Sequence, residues 1–389
     1  MAILFLIIFM DLVGFGLLIP LLPFYVQRVG AGPEIITLVL GLYSLGQFVA
    51  APLWGRLSDS WGRKPVLALT SFGLAASYLM LAYADSLALL VVSRLFGGIM
   101  AGNIAAAQAY VSDVTTSATR AKNMGILGAA LGLGFTFGPA IGGVLGGHDL
   151  ATADFKTPAL AAAAVTAAAA IAVVLFLKES LDPAIHAGRS QQSRALLHQR
   201  LRAALSRHVL VTLIAAGFLC ITAFALFEAV FGLWANAVFR YGPAQIGYVL
   251  TGMGVISVAV QGGAIGRLSR AFGERNLVTA GLALSGLGYA AIALAASQPI
   301  MIGGCVLLTL GSALFNPGVA SLVSREAADH ERGAVLGLYQ GASALGRVIG
   351  PAFAGLLYVS WGTQAPFWAA VALVAPALAL AVLVRRRGR

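Results

Sequence analysis

Almost every residue of this chain belongs to an apolar segment long enough to cross a bilayer, and that leaves few folds open. Twelve such segments are readable, at 2–26, 35–56, 64–84, 86–111, 122–147, 157–178, 209–238, 244–266, 276–296, 299–322, 333–358 and 362–384. A spanning helix needs about 20 apolar residues, so twelve helices with their connections use nearly all of the 389 residues. No stretch remains for a soluble catalytic domain. Charged residues make up 10% and apolar residues 59% of the chain. Soluble domains carry roughly 25% and 45–50%, so a soluble globular fold is excluded. Disorder requires the opposite balance. Cys220 and Cys305 lie inside apolar runs and form no motif. The first segment has no basic leader region and contains Asp11 and Pro20, so it reads as a span rather than a cleaved signal.

Orientation follows from the basic residues. With the N-terminus inside, 20 of the 25 Lys and Arg fall on inner loops, the tail and the segment 179–208. Three fall on outer loops (Arg28, Lys156 and Arg240), and Arg94 and Arg347 lie within spans. Both termini are therefore expected on the cytoplasmic side. The net charge of +11 marks that face and its contact with anionic lipid; nucleic acid is not an expected partner. Segment 179–208 is polar and holds five arginines. Its second part, from Ser193, has the alternation of an amphipathic surface helix. It reads as a linker between two halves, 1–178 and 209–389.

An internal repeat supports that division. Gly55–Lys64 (GRLSDSWGRK) recurs as Gly266–Arg275 (GRLSRAFGER), shifted by 211. Val111-Ser112-Asp113 recurs as Val323-Ser324-Arg325, shifted by 212. Parallel repeats that rock about a midplane site are a transporter architecture. The expected fold is all-α: twelve transmembrane helices in two pseudo-symmetric six-helix bundles.

At these motifs the chain resembles the major facilitator superfamily, and within it the drug:proton antiporters, over essentially its whole length. GRLSDSWGRKPVL (Gly55–Leu67) is similar to the family's loop between spans 2 and 3. VSRLFGGIMAG (Val92–Gly102) resembles its span-4 motif with one buried arginine. GLGFTFGPAIGG (Gly132–Gly143) resembles its span-5 antiporter motif, carried by Gly134, Gly138, Pro139, Gly142 and Gly143. MDLVGFGLLIPLLP (Met10–Pro23) is similar to the first span of tetracycline exporters. Those exporters place acidic residues in spans 3 and 9, where this chain has Ser77 and Ser285, while Glu228 in span 7 has no counterpart in them. The resemblance implies a gating role for Gly55, Asp59, Gly62, Arg63, Lys64 and Asp113, with Arg63 joining Asp59 and Asp113 in a latch. Arg270 stands where the second copy would repeat Asp59, so that latch is one-sided.

A charge at mid-bilayer costs at least ~2.5–3.5 kcal/mol and ordinarily faces a cavity or a partner. Four charged residues lie within spans: Asp11, Arg94, Glu228 and Arg347. Asp11 and Arg94 are read as a proton-linked pair, or as a static buried ion pair. Glu228 lies among Phe224, Phe227, Phe231 and Trp234; it suits proton carriage, binding of a cationic amphiphile, or a neutral hydrogen-bonded role. Arg347 is a structural partner or a charge switch. Phe15, Gln47, Phe227, Glu228, Asn316 and Tyr339 are candidates for a substrate cavity; each polar one equally suits helix–helix contact.

The function expected is proton-coupled export of amphipathic drugs, tetracycline-like or multidrug, across the bacterial inner membrane by a monomer. No cofactor or metal is expected, with the proton gradient as energy source, since the chain has no phosphate-binding loop or metal-ligand cluster. A small-metabolite transporter for a sugar or amino acid is the alternative. An intramembrane enzyme or receptor fits less well: all five His lie in loops, and a receptor leaves the repeat unexplained.

Overall fold

The computed structural model describes residues 2–149, 153–181, 207–327 and 332–387. Regular structure among the described residues is helical throughout. The first span is α1 (Ala2–Leu18) and α2 (Leu22–Arg28), bent by 45° at the break, where Pro20 has no N–H to continue the helix. Spans 2 and 3 are α3 (Pro33–Trp61) and α4 (Arg63–Ala82). Span 4 is α5 (Leu87–Met100), a tight turn at Ala101–Asn103, and α6 (Ile104–Asp113). Spans 5, 6 and 7 are α7 (Ser117–Gly146), α8 (Lys156–Phe176) and α9 (His208–Phe239). Span 8 is α10 (Pro243–Ala259), a widened turn at Val260–Ala264, and α11 (Ile265–Phe272). Spans 9 to 12 are α12 (Glu274–Ala293), α13 (Gln298–Glu326), α14 (Arg332–Trp361) and α15 (Ala365–Arg387). Among the described residues, eleven helices are long and apolar enough to span, and the bent first pair, taken as one span, brings the number to twelve.

Local chemistry sets the boundaries. Pro33 opens α3, a position where its missing N–H costs nothing. The Ser86 hydroxyl accepts the Leu89 N–H at the start of α5. Asp154 Oδ1 accepts the N–H groups of Lys156 and Thr157 as α8 begins. Between α3 and α4 one residue turns the chain: Gly62, at φ 106°. Gly273, at φ 76°, does the same between α11 and α12. A side chain is strained at such φ values, which is why both copies of the repeat keep this glycine. Large apolar side chains such as Leu79, Val92, Leu175 and Phe176 are exposed on the helix surfaces, as lipid-facing positions require.

The chain forms two compact units, Met1–Pro183 with Phe231–Gly254, and Ala184–Val230 with Val255–Arg389. The end of α9 and the start of α10 thus group with the first six spans. In the first unit α1 lies against α7 and α8, α4 against α5 and α8, and α3 against α5. In the second, α12 lies against α13 and α15. Cys220 and Cys305 are buried and unbridged. The amphipathic helix expected from Ser193 lies outside the described residues.

Candidate functional site

The first unit buries a carboxylate and a guanidinium. Asp11 on α1 is 3% exposed and Arg94 on α5 is 4% exposed. They are not ion-paired to each other. Asp11 Oδ2 accepts hydrogen bonds from Ser71 Oγ of α4 (3.0 Å) and Asn103 Nδ2 (3.3 Å). Asp11 Oδ1 and Arg94 Nε are buried and have no hydrogen-bond partner among the described residues. The Arg94 guanidinium sits over the rings of Tyr43 (4.5 Å to the centroid) and Phe15 (5.9 Å). The pair read from the sequence is thus offset by about one helical turn. Arg94 is level with Phe15, four residues past Asp11, which displaces the carboxylate by about 6 Å along the helix. Phe15 also packs on Tyr43 and Phe135, at 4.7 and 5.7 Å between centroids, so the arginine ends in an aromatic slot. Sequence reasoning missed Ser71 as the partner of Asp11. A lone serine in an apolar span carries no signal of its own.

In the second unit, Glu228 on α9 is half-buried and Arg347 on α14 is exposed. No ion pair joins them. Phe227, expected in a substrate cavity, is 1% exposed; it packs in the interior against Phe224, Tyr289 and Phe367. Tyr339 is buried and Asn316 half-buried. In the first unit, Gln47 Nε2 donates to the Ala101 carbonyl at 3.1 Å and so ties α3 to the break in span 4. The two serines at the acidic positions of tetracycline exporters are both buried; Ser77 Oγ donates to the Leu74 carbonyl on its own helix.

The motif at the junction of α3 and α4 forms the cluster its residue types suggest. Arg63 Nη1 donates to Asp59 Oδ1 (2.6 Å) and to Ser58 Oγ (2.7 Å), and Nε donates to Asp113 Oδ2 (2.9 Å). The Arg63 side chain is 5% exposed, Asp113 21% and Asp59 59%. A fifth member, Glu179, was read only as part of the linker. Its Oε1 accepts the N–H groups of Arg63 (2.9 Å), Ser180 (2.8 Å) and Leu181 (2.9 Å), and its Oε2 accepts that of Lys64 (3.0 Å). Ser180 Oγ adds a bond to Asp113. Helix α4 begins with two cationic side chains, against its dipole, and the Glu179 carboxylate supplies the negative charge that end favours. Partial burial pushes the Glu179 carboxyl up, but the N–H groups of Leu181, Arg63, Lys64 and Ser180 outweigh it and hold it below the ordinary range.

The glycine motif on α7 has two faces. Gly134, Gly138 and Gly142 meet α1: a Cβ on Gly138 would lie 2.6 Å from Gly16 Cα, and one on Gly142 would collide with the Leu17 carbonyl. Gly143 meets α10 instead, where a Cβ would lie 2.8 Å from the Pro243 carbonyl and 3.1 Å from Gly247 Cα. The Ala244 N–H donates to the Gly147 carbonyl at 3.1 Å, and Pro139 lies within α7 beside this contact. Gly247 is a further participant that the sequence did not single out.

Comparison with known proteins places this arrangement. The profile of the Major Facilitator Superfamily matches residues 4–270 and 213–389. The class G tetracycline resistance protein of Vibrio anguillarum is 30% identical, over 89% of this chain and 87% of its own. Multidrug resistance protein 2 of Bacillus subtilis is 28% identical, over 90% and 86%. The crystal structure of the human organic anion transporter MFSD10 matches with a TM-score of 0.74 at 26% identity, covering 98% of both chains. With both repeats matched and the helices laid out as the sequence predicts, the chain belongs to the Major Facilitator Superfamily, a multi-pass membrane transporter and not an enzyme.

Proposed function

We propose that this protein exports amphipathic drugs, tetracycline-like or multidrug, from the cytoplasm across a bacterial inner membrane, in exchange for protons. It works as a monomer by alternating access between the halves 1–178 and 209–389, joined through 179–208, with both termini cytoplasmic. Asp11, Arg94, Glu228 and Arg347 are the coupling charges. Asp59, Arg63 and Asp113 form the cytoplasmic latch, seated by Gly55, Gly62 and Lys64. The small-residue motif on α7 keeps the outer side tight to protons. Phe15, Gln47, Glu228, Asn316 and Tyr339 contribute to the substrate path.

The observation that carries this reading is Asp11. A carboxylate at mid-span, with one oxygen free of hydrogen bonds and no cation paired to it, is far costlier charged than neutral. Such a group is well suited to take up and release a proton during a cycle. The relatives that resist tetracycline and multiple drugs support the substrate class.

The test is dye or tetracycline accumulation in inverted vesicles, with and without an uncoupler, for the wild type, Asp11→Asn and Glu228→Gln. Uncoupler-sensitive accumulation that is lost in Asp11→Asn is the expected result. Full proton-driven accumulation in both variants overturns the assignment of the coupling charges, and no uncoupler-sensitive accumulation in the wild type overturns proton-driven export. A second reading rests on Arg94, a buried cation with no carboxylate beside it. It favours an anionic amphiphile, in line with the organic anion transporter among the similar structures. Stronger competition by anionic than by cationic dyes selects that reading.

A further inference from the structure

The two copies of the loop motif keep one ion pair, with the charges exchanged. In the first copy the residue after the turning glycine is Arg63, and it holds Asp113 at the end of α6. In the second copy the residue after the turning glycine is Glu274, 211 positions on, and its partner is Arg325, 212 positions after Asp113. Glu274 Oε2 lies 3.3 Å from Arg325 Nη1, and Glu274 Oε1 accepts a hydrogen bond from Ser321 Oγ at 2.7 Å. Ser321 and Arg325 are four residues apart, on one face of α13. A second rung joins the next residues, Arg275 Nη2 to Glu326 Oε1 at 3.2 Å.

The exchange is physically consistent. A carboxylate in the first turn of α12 sits well with the helix dipole. Arg63, at the same place in α4, does not, and there Glu179 supplies the missing carboxylate on the backbone N–H groups. Glu274 therefore combines two tasks that the first copy divides between Arg63 and Glu179: linking to the paired span, and placing negative charge at the helix start. Arg270, where Asp59 would recur, forms no ion pair among the described residues and is exposed.

We infer that Glu274, Ser321 and Arg325 form a second working lock, which holds the α11–α12 hairpin to α13 and positions it for transport. The sequence suggests instead that the latch is one-sided. Only the position of Asp59 lacks a counterpart; the link between the two helices is retained in reversed polarity. The inference rests on the gating reading of the first copy and is independent of which ion drives transport. The Arg325 side chain is 73% exposed, and pairs this exposed contribute little to overall stability. A lock of this kind acts on the transport cycle rather than on folding.

The test is a charge exchange in the full-length protein: Glu274→Arg, Arg325→Glu, and the two combined. Initial rates of ethidium efflux are compared at equal amounts of membrane-inserted protein. Each single reversal is expected to lower Vmax by about tenfold with KM nearly unchanged, and the combined exchange, which restores the ion pair but not the carboxylate at the start of α12, to recover part of the rate. A wild-type Vmax in either single reversal, or no recovery in the combined exchange, overturns the lock. Should a reversal fail to insert, Glu274→Gln keeps a hydrogen-bonding group toward Ser321 and removes only the ion pair. A fall in its Vmax supports the lock and an unchanged Vmax overturns it. Trypsin cleavage at the exposed Arg267 and Arg270, compared between the wild type and Glu274→Gln, which adds and removes no trypsin site, gives a readout that needs no substrate: faster in the variant. Equal cleavage rates in the two also overturn the inference. Insensitivity of wild-type efflux to an uncoupler would instead sink the proton-coupled reading and leave these comparisons intact.

Discussion

Glu179 organises its surroundings more than any other residue that the sequence left unremarked. It receives four backbone N–H groups, two of them from residues 115 and 116 positions away. No periodicity or motif spacing reports a contact of that separation, so it was not legible beforehand. Asp11 and Arg94 were legible because charge in a span is rare. Their partners were not, since serines and aromatics are ordinary span residues and one helical turn separates a pair from a near miss. Phe227 was misplaced because α9 is apolar all round, and such a helix gives no sign of which face points inward. The geometry of Glu179 sets a pH dependence. Its carboxyl is held below the ordinary value, so the stability it adds is present above the unfolded pKa of about 4.3. That stability is lost as pH falls through the lower folded value. Glu179→Gln should therefore lower the unfolding temperature slightly at pH 7, for a stability loss of less than about 1 kcal/mol at so exposed a group. The difference should shrink as pH falls through the carboxyl's folded value, as scanning fluorimetry in detergent would show.

At the scale of elements, the positions and order of the spans followed from the sequence because a bilayer demands apolar runs of fixed length. Breaks within spans were harder to see. Pro20 signals the bend between α1 and α2, whereas nothing in Val260–Ala264 announces a widened turn beyond its two glycines. The glycine pattern of α7 was visible, but its division into two faces was not, because that depends on which helices lie alongside. The faces differ in tolerance. Gly142→Ala drives a methyl into the Leu17 carbonyl, a backbone atom that cannot turn aside. It should destabilise by roughly 1–3 kcal/mol and reduce the amount of folded protein recovered from membranes. Gly128→Ala, on the same helix, meets no atom within 4 Å. It should be neutral or stabilising by up to about 1 kcal/mol through helix propensity. Size-exclusion profiles and melting temperatures of the two variants separate these outcomes.

For the whole molecule, the asymmetry of basic residues predicts how the chain lies in the membrane. Lys156→Cys should react with an impermeant maleimide added to intact cells, and Arg267→Cys should react only after the membrane is opened. Both native cysteines are buried, so they do not interfere. The reverse pattern would invert the topology. The superfamily fold was legible from repeat spacing and motif residues together, since two matches at nearly one offset require duplicated halves. The exchanged charges stood in the same two aligned strings, but without contacts they read as a lapse in the repeat.

The reversed ion pair also bears on how a duplicated chain avoids assembling wrongly. Two similar sets of six helices inserted one after the other risk mistaken partnerships, a helix of the first set docking where its counterpart in the second belongs. With identical polarity, α4 could accept α13 as readily as α6. As built, that mistake would set Arg63 against Arg325, and the complementary one would set Glu274 against Asp113. Each wrong match brings like charges together and each right match brings opposites. The two halves can thus keep nearly the same architecture while each recognises its own parts.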